Sequence, residues 1–262
     1  MRMKNYAIIT WASSGIGKEF AEMFAKDGHN LVLVARTLSK LQSIKSDLEK
    51  TYKNKVIVLE KDLSLENSAK EIHEFTKAEH LTIDYLVNNA GFGDYGEFAT
   101  SDDERNNEML QLNIVALTRL TRYYIEDMEK HNFWKILNLA STAAFQPGPY
   151  MAVYFATKAY VKSFSLAIAS ELEDTKITVT TLCPGPTASN FEKNANATEA
   201  SIFSWKLPSS YEVALFGYQS MMKGKKLVIH GWANRILACI TRFLPTSLVL
   251  KMLKSAMTKK IK

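Results

Sequence analysis

Seven apolar runs of strand length, "YAIIT", "LVLVA", "KVIVLE", "DYLVN", "KILNLA", "ITVTTLC" and "KLVIH", recur along the 262 residues with stretches of helical period between them. Strands separated by helices cannot pair as hairpins, so they lie parallel, and runs with no polar alternation are buried on both faces. The pattern predicts an α/β chain built on a doubly wound parallel sheet of about seven strands with helices on both faces. In the first helix Ile16, Phe20, Phe24 and Ala25 share a face, and Gly28 follows as a stop signal. The length suits a single domain over 1–262, with a core large enough to need no staples. The strand pattern pauses between Pro184 and Lys225, so 187–225 is expected to form a substrate-side lid, and 231–262 a C-terminal helical extension.

The formal charge is +6, but the basic residues are scattered through helical stretches and not gathered with aromatics, which argues against a nucleic-acid partner. Only the tail "KMLKSAMTKKIK" concentrates charge, at Lys251, Lys254, Lys259, Lys260 and Lys262. It reads as a solvated helix face, and membrane contact through "ILACITRFLP" and "SLVLKMLKSAM" is the weaker alternative. The uncharged run Ile136 to Thr157 is broken by Gln146, Pro147, Gly148 and Pro149 and cannot be a spanning helix. Cys183 and Cys239 are expected to be buried thiols; with no apolar leader before Tyr6, they point to a reducing, cytoplasmic setting. The five histidines lack metal-ligand spacing, so no metal site is expected. The one N-x-T triplet, Asn196 to Thr198, needs no function.

In a doubly wound sheet the ligand lies beyond the carboxyl ends of the strands, and the first strand-to-helix turn takes a pyrophosphate on the helix N-terminus. Here that turn is "TWASSGIG", with Ser13, Ser14, Gly15, Ile16 and Gly17. After the second strand a site for NAD wants an acid, whereas this chain offers Arg36 and, one turn later, Lys40. Their charge suits a 2′-phosphate and hence NADP(H), unless Arg36 is an ordinary exposed arginine. Asp62, with Leu63 beside it, follows the third strand and can accept from an adenine amino group. Asn89, Ala90 and Gly91 of "NNAG" follow the fourth, where Gly91 lets backbone approach a ribose.

Tyr154 and Lys158 are four apart and so share a helix face, a spacing that chance supplies readily in a chain with eleven tyrosines. Ser141, just past the strand "KILNLA", lies at the ligand edge of the same sheet.

With these residues together the chain resembles a short-chain dehydrogenase/reductase, a Rossmann-type fold. The resemblance runs in order from Tyr6 to about Phe191: "TWASSGIG", "NNAG", Asn113 in "LNIVAL", Ser141 thirteen residues before Tyr154, Lys158, and "PGPTAS" from Pro184. The tail beyond Leu207 is similar to a bacterial subgroup of broad-specificity NADP-dependent carbonyl reductases. The resemblance implies that Tyr154 is the proton donor, Lys158 its electrostatic partner and Ser141 the orienting hydroxyl. It implies that Asn113 holds a water relaying protons from Lys158, although by its residues alone Asn113 is a helix-interior amide bonded to backbone. Pro184, Gly185 and Thr187 would lie near the nicotinamide, and Ser189 keeps a hydroxyl where the subgroup has threonine.

Trp11 is the one departure, since the family has glycine there. Either its ring turns into the adenosine side over a strained backbone and impairs cofactor binding, or it rotates out as a surface hydrophobe and leaves the turn amides intact. The expected activity is hydride transfer between NADP(H) and a ketone or secondary alcohol, on a medium apolar ketone or 3-oxo ester. The alternative is a nucleotide-binding regulator with little turnover because of Trp11. Candidate substrate residues are Phe92, Phe145, Tyr150, Phe191, Phe203 and Trp205. By resemblance a homodimer or homotetramer is expected, burying parts of Leu117, Leu120, Phe164 and Leu166.

Overall fold

The structure is a computed structural model and describes residues 5–129, 134–189, 191–197 and 207–258. Its strands are β1 Tyr6–Thr10, β2 Asn30–Ala35, β3 Val56–Glu60, β4 Ile83–Asn88, β5 Trp134–Leu139, β6 Ile177–Cys183 and β7 Leu227–Ile229. They form one sheet in the order β3-β2-β1-β4-β5-β6-β7, and each pairing is parallel. β1, β2 and β4 are buried at every residue, as continuous apolar runs between two helical layers must be.

The helices are α1 Gly15–Lys26, α2 Leu38–Tyr52, α3 Ser68–Ala78, α4 Asp103–Leu110, α5 Leu117–Met128, α6 Ala152–Glu171, the single turn α7 Phe191–Asn194, α8 Ser210–Met222, α9 Trp232–Ile240 and α10 Thr246–Met257. One face of the sheet is covered by α1, α2 and α8 through Phe20, Phe24, Leu41 and Tyr218. The other is covered by α3, α5 and α6 through Ile72, Leu120, Tyr124 and Phe155. Each such side chain contributes about 1.5–3 kcal/mol by leaving water.

Two expectations change here. The second half of the expected lid is α8, a core helix started by a capping box between Ser209 and Glu212 and packed on α1. It fits because Gly217 has no side chain: a Cβ there would lie 2.5 Å from Leu182 and 3.0 Å from Phe20. The start of the expected lid is tied down where Ala188 bridges to Ser209, and 198–206 lie outside the described residues. Of the residues expected to join subunits, Leu117 and Leu120 are already buried in the monomer, while Phe164, stacked on Tyr160, and Leu166 are half-buried.

The strand order reverses direction between β1 and β4, which opens a crevice beyond their carboxyl ends.

Candidate active site

The turn after β1 is held from below. The Thr10 hydroxyl accepts from the Asn89 and Ala90 amides at 2.9 Å each, and the Asn89 side chain donates to the carbonyls of Thr10 (3.0 Å) and Trp11 (3.4 Å). Asn89 thus braces the turn. Gly17 lets α1 sit on it, because a Cβ there would be 2.3 Å from the Trp11 carbonyl oxygen. The first turn of α1 carries no acidic residue, and Ser14 makes no side-chain cap, so its amides face the crevice uncommitted to a side chain.

At one end of the crevice a cavity of about 230 Å³ is lined by Trp11, Ser13, Ser14, Arg36, Lys40, Asp62, Leu63 and Ala90. Thr37, Lys61, Ser64, Phe92, Glu108 and Asn194 are among the further lining residues, and none of these was an expected cofactor contact. Asp62 accepts from the Ser64 amide and hydroxyl through one oxygen and pairs with Arg36 at 3.7 Å through the other. Trp11 has φ 53°, the left-handed region that glycine occupies freely, and its ring lies in this cavity with the Arg36 guanidinium 5.5 Å from the ring centroid. The ring packs against the core as well and does not swing out to the surface.

This placement has a measurable consequence. Left-handed backbone at a non-glycine residue costs on the order of 1–3 kcal/mol, and the ring also engages Arg36. Trp11→Gly should raise the melting temperature, because the backbone cost is carried with the cavity empty or filled, and loss of the ring should tighten binding of a nicotinamide dinucleotide in a direct titration, with turnover at saturating cofactor changed far less. Unchanged affinity would show the ring to be no obstacle, and weakened binding would make it a stacking surface for adenine.

From there the crevice continues past Gly15, Ile16, Asn89 and Gly91 to a second end, lined by Ser141, Tyr154, Lys158, Pro184, Gly185, Thr187, Ser189 and Phe191. Ser141 ends the loop after β5, and Tyr154 and Lys158 stand one turn apart near the start of α6. The Ser141 oxygen accepts from the Ala143 amide at 3.1 Å, which leaves its proton free to donate. Burial pushes the Tyr154 phenol up to about 12, against the pull of its bond with the Ser141 hydroxyl. Lys158 is buried too, and burial lowers its ammonium to about 8. Its Nζ donates to the Leu139 carbonyl at 2.8 Å and lies 5.8 Å from the Tyr154 ring centroid. A Cβ on Gly91 would come within 3.1 Å of that Nζ, so glycine there keeps the lysine's path open.

Asn113 is where the residues alone put it. Its Nδ2 donates to the Phe92 carbonyl (2.9 Å) and the Thr157 hydroxyl (3.0 Å), and its Oδ1 accepts from the Phe92 amide (3.1 Å). Both amide protons are spent on protein, so the side chain fixes the loop after β4 against α6. It sits in a π-helical segment, Gln111–Ala116, between α4 and α5, a local widening that the sequence did not signal.

Among the expected substrate residues, Phe191 borders the Tyr154 end, 5.2 Å between ring centroids. Phe92 is buried in the core and touches the Arg36 end instead. Phe145 points away, packed beside Cys183 and Val161 with Lys162 4.3 Å over its ring. Tyr150 takes φ 64° and packs against Tyr95, outside the cavity. Phe203 and Trp205 lie outside the described residues. The Leu139 carbonyl was missed because a main-chain acceptor leaves no mark in a sequence.

A glycine turn on a switch point, with a buried serine, tyrosine and lysine at the far end of one crevice, defines a dinucleotide-dependent oxidoreductase. The chain belongs to the short-chain dehydrogenase family, which it matches over residues 5–200. It is 36% identical over 186 residues to 17-beta-hydroxysteroid dehydrogenase type 3 of Mus musculus, covering 70% of this chain and 60% of that protein. It is also 36% identical over 172 residues to the very-long-chain 3-oxoacyl-CoA reductase of Pyrenophora tritici-repentis, covering 64% of this chain and 50% of that one. The chain thus spans only about half to three fifths of these relatives. A short-chain dehydrogenase from Sphingobium yanoikuyae in complex with NADPH superposes with a TM-score of 0.82 at 27% identity, covering 98% of both chains.

Proposed function

We propose that this protein is an NADP(H)-dependent carbonyl reductase acting reversibly on an apolar ketone or 3-oxo ester. The observation that carries the reading is the buried Ser141, Tyr154 and Lys158 group at one end of a crevice whose other end holds Arg36 and Lys40. The cradle fits a dinucleotide: uncapped α1 amides for a pyrophosphate, the Gly91 gap for a ribose, and two cations for a 2′-phosphate. When bound, the nicotinamide supplies or takes up the hydride. Ser141 donates to the substrate oxygen and orients the carbonyl, and Tyr154 gives that oxygen its proton. Lys158 stabilises the phenolate left behind, and the proton is recovered from solvent. Phe191 offers the apolar wall.

The reading of a regulator without turnover is the poorer one. Burying an ammonium that, among the described residues, has no carboxylate beside it costs stability, and a binding module has no use for that cost. The unpaired Cys183 and Cys239 support a reducing, cytoplasmic setting, and the surface stack of Tyr160 on Phe164 supports a homo-oligomeric contact there.

The test is oxidation of NADPH against a panel of ketones and 3-oxo esters, run beside NADH. NADPH should be preferred by at least about tenfold, which one charge-assisted phosphate contact can supply. Arg36→Asp should reverse that order, and equal use of both cofactors by the parent protein would remove Arg36 from phosphate recognition.

A further inference from the structure

From Val213 to the last residue the chain has ten lysines and arginines and no aspartate or glutamate, so the rest of the molecule is net acidic although the whole carries +6. The same stretch holds the two helices that the core leaves uncovered. On α9, Ala238 is buried while Trp232 is 76% exposed, with Ile236, Leu237, Cys239 and Ile240 also facing water. Phe243, just after it, is 81% exposed. On α10, Val249 and Met257 face inward, and Leu248 and Met252 face out beside Lys251. Cys239, expected to be a buried thiol, belongs to this outer face.

Trp232, Ile236, Ile240 and Phe243 follow the three- and four-residue spacing that places side chains on one stripe, and Arg235 and Arg242 flank it. A stripe of large apolar residues edged by cations with no anion is the composition that lies in a bilayer interface, with rings among the acyl chains and cations at the headgroups. Among the described residues no helix is long and apolar enough to cross a membrane, so contact of this kind would be interfacial. Pairing with a second copy is disfavoured by the same charges, since a two-fold contact would face Arg235, Arg242 and Lys251 with their own equivalents and no carboxylate from this stretch.

The two helices are also joined to the catalytic end. A Cβ on Gly185 would lie 2.6 Å from the Asn234 side chain, so α9 rests on the loop after β6. Leu250 of α10 lines an apolar cavity of about 550 Å³ with Pro147 and Pro149 of the loop that leads from Ser141 into α6, and with Phe155 and Ala156 of α6 itself. The Tyr95 hydroxyl donates to the Met257 carbonyl at 2.6 Å and anchors the end of α10 to the loop after β4.

We propose that α9 and α10 form an interfacial docking surface for an anionic lipid bilayer, and that docking sets the apolar loop beside Ser141 against the membrane. The inference rests on the charge and exposure of the helices and does not require the carbonyl-reductase reading, because its test reads binding directly.

The test is co-sedimentation of the full chain with mixed phosphatidylglycerol and phosphatidylcholine vesicles, and with phosphatidylcholine vesicles alone. Binding should be at least about tenfold stronger to the anionic vesicles and should weaken with added salt. The double variants Trp232→Ser with Phe243→Ser, and Arg242→Glu with Lys251→Glu, should each reduce it by about tenfold or more. These positions are exposed, so melting temperature and turnover of a water-soluble ketone should stay at the parent values and report that the variants fold. Equal binding to both vesicle types would overturn the proposal. So would the absence of binding in the parent protein, or a concentration-dependent dimer that the Trp232 and Phe243 changes dissolve.

Discussion

Tyr154→Phe should lower kcat/KM for ketone reduction by about three orders of magnitude while NADPH affinity stays within a few-fold. The substitution removes one oxygen and keeps the ring that packs 5.2 Å from Phe191 and 6.1 Å from Phe155, so the wall of the site is preserved. What is lost is the hydroxyl whose proton Lys158 and Ser141 together can help release. Positioned general acids contribute typically 10²–10⁴-fold, and the loss should fall in kcat because the proton moves only in the transition state. Steady-state rates beside a fluorescence titration of NADPH separate the two parameters. More than a tenth of the parent activity in Tyr154→Phe would disqualify it as the donor.

The fold was legible because parallel strands buried on both faces must be continuous apolar runs, and all seven lie where those runs are. α8 was read as lid because the stretch before it has no period, yet the sequence held its start signal: Ser209 followed three residues later by Glu212, the capping box seen in the structure. Cys239 shows a different limit. A periodic apolar stretch declares that a helix is two-faced, but which face another element covers depends on the tertiary arrangement, and here α9 leaves its larger face open. At the site, the spacing of Ser141, Tyr154 and Lys158 was visible because a strand end and one helix face fix it. The π-helical offset at Asn113 was not, since "LNIVAL" is equally compatible with an α-helix and the widening arises where Asn113 ties α6 to the loop after β4.

Trp11 and Lys158 each carry a local cost, one in backbone and one in charge, and they stand at opposite ends of the same crevice. At Trp11 the cost accompanies a ring inside the cofactor cavity, so removing it should improve binding. At Lys158 the cost is tied to the chemistry, so stability and activity should move in opposite directions when it is removed.

Lys158→Met should therefore abolish reduction, by at least about a hundredfold in kcat/KM, and raise the melting temperature of the cofactor-free protein by several degrees at pH 7. Burial lowers the Lys158 ammonium to about 8 from its ordinary 10.5, so below pH 8 it is charged in the folded and unfolded chains alike, and the folded state carries the full desolvation cost, about 3 kcal/mol. Methionine removes that cost but leaves the Leu139 carbonyl without its donor, which takes back about 1 kcal/mol. The remaining gain of about 2 kcal/mol corresponds to roughly 4–8 °C in a chain of this size. The sign with pH follows from the same difference. Between pH 8 and 10.5 the folded protein has shed the proton that the unfolded chain still binds, so the parent becomes more stable as pH rises and the advantage of Lys158→Met shrinks. Above 10.5 both states are neutral at this position and the advantage should vanish. Thermal melts of parent and variant at pH 7, 9 and 10.5 check this, and a parent that loses no ground to Lys158→Met at pH 7 would mean that the buried ammonium is already compensated.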